Sequence, residues 1–167
     1  IVELLISEVA NVNARSDEDY APIHLAGKLG HFDVVQLLID NGTTAPPVEP
    51  ISDLLSSADP KAGERNFGAC RQCHTTEKGK SNTVGPNLWD VIGRKKSSVV
   101  GYEYSRAFGR LTGTWDYESL SAFVAWPRDF APGTKMEVSG LKDTVGRADL
   151  MAYLRQFSDN PLPLPMQ

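Results

Sequence analysis

The sequence predicts an all-α chain built from two helical units. Three observations carry that reading. An apolar block at residues 1–6 recurs at residues 34–39, an offset of 33 residues that suits a stacked helical repeat. Apolar residues fall at i, i+3, i+4 in two later windows: Leu120, Phe123 and Val124, then Leu150, Tyr153, Leu154 and Phe157. Helix start signals precede periodic segments at Pro22 and at Asp59-Pro60.

Composition bounds the rest. The 167 residues are 41% apolar and 23% charged, which excludes a wholly disordered or fibrous chain. No apolar run nears the roughly 18 residues of a membrane span, so none is expected. Residues 1–57 hold two basic and nine acidic residues, a net of −7; residues 58–167 hold 15 and 12, a net of +3. That asymmetry predicts two units with different partners. Nucleic acid is not among them, because the longest basic cluster is Arg94, Lys95 and Lys96. Two cysteines are too few for a disulfide framework.

In the acidic unit, Pro22 opens a helix where its missing N–H costs nothing, and Gly30 ends it. Val34, Val35, Leu38 and Ile39 give the next helix one apolar face, and Gly42 stops it. The string Ala21-Pro22-Ile23-His24-Leu25-Ala26 and the 33-residue offset resemble the ankyrin repeat over about residues 1–42. Ala21 stands where that repeat usually has Thr, and Val9 where it usually has Gly. The resemblance implies a protein-binding scaffold, with His24 and His31 as structural histidines. One and a third repeats cannot bury their apolar faces alone, so further repeats are expected upstream of Ile1.

Residues 43–57 read as a linker. Pro46, Pro47 and Pro50 favour an extended spacer, and an apolar turn at Ile51, Leu54 and Leu55 is suited to dock on a neighbour.

The second unit starts at Asp59-Pro60, with Gly63 and Phe67 on one helix face. That helix is expected to run into Cys70-Arg71-Gln72-Cys73-His74. The C-x-x-C-H spacing is the attachment site of c-type haem. Two thiols one turn apart can each bond one porphyrin vinyl, and the adjacent imidazole then lies over the iron. A zinc site would need two more ligands, and the other histidines sit in the repeat. A thioredoxin-like pair would need a βαβ context that this segment lacks.

Downstream come Gly85-Pro86-Asn87-Leu88, Arg94, Tyr102, Tyr104 and Trp115. A helix is expected from 116 to 125, then Pro132-Gly133-Thr134-Lys135-Met136 and a last helix near 144–157. The ordered set resembles class I cytochrome c, of the mitochondrial and alphaproteobacterial type, over about residues 58–158. A Pro-rich tail, 159–167, follows. The expected fold is therefore a cytochrome c fold around one covalently bound haem, plus a helical ankyrin-repeat fragment.

The resemblance implies residue roles. Cys70 and Cys73 hold haem c covalently. His74 is the proximal ligand, oriented by the Pro86 carbonyl. Met136 is the distal ligand, its thioether favouring Fe(II). Tyr104, Trp115 and Thr134 donate to a haem propionate, and Arg94 offsets its charge. Gly63 and Phe67 pack against Tyr153. Phe123, Phe108 and Val138 replace family residues and predict a drier Met-side pocket. Trp89, Trp126 and Met151 are read as packing.

The implied function is one-electron transfer between a donor and an acceptor redox protein, with no enzymatic chemistry because both axial positions are filled. Arg71, Lys78, Lys80, Arg128, Lys135 and Lys142 are expected to form a weakly basic face for a transient, acidic partner. The expected compartment is the periplasm, with an export signal upstream. Two other readings differ in class: an ankyrin interaction module with a tethered haem, and a ligand sensor or peroxidase in which Met136 leaves the iron.

Overall fold

The computed structural model describes residues 1–165 of the chain. Met166, expected in the Pro-rich tail, lies outside them. Helices α1 (Val2–Ser7), α2 (Pro22–Lys28) and α3 (Phe32–Asp40) form the first unit. The second contains α4 (Pro60–Asn66), α5 (Arg106–Gly109), α6 (Tyr117–Ala125), α7 (Pro127–Phe130) and α8 (Thr144–Leu154), with short 3-10 turns at Ser52–Leu54 and Cys70–Gln72. Among the described residues the only β pairing is an isolated bridge between Lys95 and Thr114. The all-α expectation holds. No helix among them is long and apolar enough to cross a membrane.

The first unit is small. Ile23, Ala26, Phe32, Val35 and Leu38 make its core, joined by Ala107 from α5. Pro22 starts α2 as expected, and His24 Nδ1 accepts the Ala21 N–H at 3.0 Å, while Ala21 itself supplies no side-chain cap. Gly30 and Gly42 end α2 and α3 with φ of +79° and +87°. Val9, in register with Gly42, is forced to φ +63°. A β-branched side chain there is strained by about 1–2 kcal/mol. Helix α1 buries none of its residues.

In the second unit, α4 and α8 cross at Gly63. A Cβ there would sit 2.0 Å from the Asp149 carbonyl oxygen, so only Gly allows the crossing. Phe67 packs against Tyr153 with the rings tilted at 42° and centroids 5.3 Å apart, as expected. Two helix boundaries differ from the sequence expectation. Helix α4 stops at Asn66 instead of running into Cys70, and the cysteines begin on a separate 3-10 turn. Helix α8 stops at Leu154, not near Phe157, closing in turns from Gln156 and Phe157 to Tyr153 and Leu154. Gly68 directly follows the Phe67 C-cap of α4 and is a local stop signal; the end of α8, at Arg155 and Gln156, carries neither Gly nor Pro. Met151 is fully buried.

Residues 43–57 are packed rather than free. Ile51 and Leu55 are buried in the larger core. The Glu118 carboxylate accepts from the Ile51 N–H at 3.0 Å and the Ser52 N–H at 2.8 Å. The Arg147 guanidinium, itself buried, donates to the Glu49 carbonyl at 2.9 Å. These two charged groups tie the proline stretch down to α6 and α8.

Candidate functional site

The C-x-x-C-H turn sits between α4 and an irregular loop that reaches back over it. Cys70 and Cys73 are unpaired and half-buried. Burial pushes the Cys70 thiol up, so it stays protonated at neutral pH. His74 Nδ1 lies 2.8 Å from the Pro86 carbonyl oxygen. That contact assigns the N–H to Nδ1 and leaves Nε2 as the free lone pair. Burial holds the imidazole below the ordinary histidine range; the Pro86 carbonyl opposes this and the Arg94 charge assists it.

The loop's geometry explains its sequence. A Cβ on Gly85 would fall 2.3 Å from His74 Cε1, so Gly85 lies flat against the ring. Buried Asn87 donates to the carbonyls of Glu77 (2.9 Å) and Lys80 (2.8 Å) and accepts the Trp89 N–H at 2.6 Å. Thr83 donates to the Cys73 carbonyl at 2.5 Å, and the Tyr102 hydroxyl donates to the Val84 carbonyl at 3.1 Å. Sequence reasoning gave no role to Gly85, Asn87 or Thr83. The signal for the first two was their place in the Gly85-Pro86-Asn87-Leu88 string; Thr83 had none.

Arg94 is half-buried and donates to the Trp89 carbonyl at 2.5 Å. It forms no ion pair among the described residues, which suits a guanidinium kept for an anionic group such as a propionate. Tyr104 accepts the Val99 N–H at 3.3 Å and stacks on Phe108 at 5.8 Å. Trp115 is buried within a ring cluster with Phe108, Phe123 and Phe130, at centroid distances from 5.5 to 6.1 Å. Phe108 and Phe123 also touch each other, edge to face at 5.1 Å. Both replacements thus belong to this aromatic cluster of the core. Val138 is 49% exposed.

Thr134 is buried, and its hydroxyl oxygen accepts the Met136 N–H at 3.1 Å, leaving its own O–H to donate. Met136 packs against the larger core, as Cys70 does. Pro132, Gly133 and Thr134 shape this segment, which has no helix; Gly133 takes φ +94°.

The expected basic face is differently disposed. Arg128 lies over the Tyr20 ring at 4.3 Å, and Lys135 donates to the Glu103 carbonyl at 2.6 Å. Lys142 lies over Trp126, where burial lowers it to about 8. Arg71, Lys78 and Lys80 pair with Glu64, Asp159 and Glu77. All six cations are engaged within the chain, so they do not stand as a free basic patch. Trp89, read as packing, has a buried indole N–H with no hydrogen-bond partner among the described residues.

The donor set fits a c-type haem: two unpaired thiols, a neutral imidazole with Nε2 free, a thioether on a separate loop, and an unpaired guanidinium. Comparison with known proteins agrees. An ankyrin-repeat family model matches residues 18–49, so residues 1–17 of the expected repeat segment lie outside the match. A cytochrome c homolog of Bradyrhizobium diazoefficiens is 40% identical over 127 residues, covering 75% of this chain and 69% of the relative. One of Rickettsia felis is 34% identical over 160 residues, covering 94% and 88%. The solved structure of cytochrome cH from Methylobacterium extorquens superposes with a TM-score of 0.55 and 39% identity, over 59% of this chain and 99% of that one. The chain belongs to the cytochrome c family. It is accordingly a mono-haem electron carrier with an ankyrin-like segment ahead of the haem unit, and its partners are redox proteins.

Proposed function

We propose that the chain carries single electrons on one covalently held haem c, ligated by His74 and Met136, in the periplasm. The domains are an ankyrin-repeat fragment at 1–42, a linker at 43–57, the haem unit at 58–158 and a tail at 159–167. The bound haem supplies an iron that alternates between Fe(III) and Fe(II). Cys70 and Cys73 are the two thiols that would hold the haem through thioethers. The Pro86 carbonyl holds the His74 proton on Nδ1 and aims Nε2 at the metal. Thr134, Tyr104 and Trp115 supply donors, and Arg94 the countercharge, for the propionates. The Phe108, Phe123, Trp115 and Phe130 rings exclude water. With His74 and Met136 both holding the iron, no site would be left for a substrate, and the chain acts as a carrier rather than a catalyst.

The observation that carries this reading is the 2.8 Å contact between His74 Nδ1 and the Pro86 carbonyl beside two unpaired cysteines. Acid–acetone extraction tests the attachment: haem should stay with the protein, and haem in the organic phase would refute it. Met136→Ala should lower the potential and abolish the weak charge-transfer band of Met-ligated ferric haem, with covalent attachment intact. An unchanged spectrum would remove Met136 from the ligand set. The compartment is supported by the bacterial relatives and by haem attachment occurring outside the bacterial cytosol. Transient partners with acidic docking faces remain the expected class, though they must compete with carboxylates and rings of this chain for the same cations.

A further inference from the structure

The segment that carries Met136 is held from two directions. The haem unit contributes the Thr134 N–H to the Ala131 carbonyl (2.8 Å) and Lys135 Nζ to the Glu103 carbonyl (2.6 Å). The repeat contributes holds on both shoulders of the methionine. On the N-terminal side, Arg15 Nη2 lies 2.5 Å and His24 Nε2 3.2 Å from Asp129 Oδ1, whose side chain is only 6% exposed. Also there, α2 rests directly on the loop backbone. A Cβ on Gly27 would sit 2.4 Å from the Pro132 carbonyl carbon, and one on Gly133 would sit 2.4 Å from the Gly27 oxygen. On the C-terminal side, the Tyr20 hydroxyl donates to Glu137 Oε2 at 2.8 Å, and Lys28 Nζ lies 3.4 Å from Oε1. Glu137 is the residue next to Met136, and both these partners belong to the repeat. Phe32, covered by the Arg106 and Arg110 guanidiniums at 4.8 and 5.5 Å, extends the contact to α5.

We propose that the ankyrin-like repeat is a brace for the distal-ligand loop: docked, it keeps Met136 on the iron, and undocked, it frees the loop to let Met136 leave. This rests on the reading of Met136 as distal ligand. A loop without helix is only as rigid as its anchors, and here α2 and its approach add the holds on Asp129 and Glu137 to those the haem unit makes at Thr134 and Lys135. The linkage is reciprocal. A protein that takes the α2 face at Tyr20, Gly27 and Lys28 opens the iron to small ligands such as carbon monoxide. A ligand that displaces Met136 weakens docking by the same factor.

Two variants of the haem-loaded full chain test this. Gly27→Val cannot keep the close approach to Pro132 and Gly133, and Tyr20→Phe/Lys28→Ala removes both holds on Glu137 from the surface. The readouts are amide hydrogen exchange over residues 131–140 and carbon monoxide uptake by the ferrous protein at neutral pH. Exchange in that segment should rise roughly tenfold or more in Gly27→Val and less in the double variant, with residues 70–90 unchanged. Carbon monoxide uptake should rise in the same order. Unfolding of the repeat by Gly27→Val leaves the expectation intact, because the brace is lost either way. Exchange over 131–140 that matches the unaltered chain in both variants overturns the brace. If Met136→Ala leaves the iron spectrum unchanged, the ligand reading fails separately, and the exchange data still judge the brace.

Discussion

The two sides of the candidate haem centre are held by different means. Everything that fixes His74 lies within a short stretch of chain: Pro86 is 12 residues away, and Asn87 binds carbonyls 7 and 10 residues away. The Met136 side is braced by residues more than a hundred positions distant. Arg15 and Asp129 are 114 apart, and Tyr20 and Glu137 are 117 apart. A locally closed ligand loop keeps its geometry when the rest of the chain moves. A loop closed by a remote unit inherits that unit's stability, and α1 to α3 have a small core. On the proposed ligand reading, the difference would make the His74 side permanent and the Met136 side conditional.

The comparison can be broken most severely at Gly85. Gly85→Val should force the His74 ring off its position, costing about 3 kcal/mol or more and yielding little low-spin haem protein. Thermal unfolding and the visible spectrum measure it. Asn87→Ala should cost about 2 kcal/mol, since it orphans the Glu77 and Lys80 carbonyls and the Trp89 N–H. Its effect should stay on the His74 side, with exchange over 131–140 unaltered.

Acid should act on the other side. Burial works against ionisation of Asp129, but His24 and Arg15 hold its carboxyl below its ordinary 3.8. A depressed carboxylate stabilises docking above its unfolded value and loses that contribution as pH falls through the folded one. Docking should therefore be intact at neutral pH and weaken only below about pH 4, with exchange at residues 15–28 rising first. Asp129→Asn should weaken docking at neutral pH and remove that acid dependence. The smallest effect is at Val9. Val9→Gly should relieve the strain of φ +63° and stabilise the repeat by about 1 kcal/mol, seen as a higher transition for that unit alone.

What the sequence determined by itself is what the chain encodes over a few residues. The C-x-x-C-H spacing placed two thiols and an imidazole together, the Asp59-Pro60 and Pro22 caps opened helices, and the 33-residue offset marked a repeat. Each follows from turn geometry or capping chemistry that a short segment carries whole. The end of α8 carries no local stop signal, whereas α4 stops just ahead of Gly68, a signal outweighed in the linear pattern by the run toward Cys70. Only the tertiary structure decided that Glu118 and Arg147 pin the linker, that the six expected docking cations are engaged, and that Gly27 lies against Pro132 and Gly133. The linker and Gly27 contacts join positions about 66 to 106 residues apart, where no period or motif links the partners. Such pairs form because burial and shape bring two finished surfaces together, and a linear pattern holds no record of which surfaces will meet.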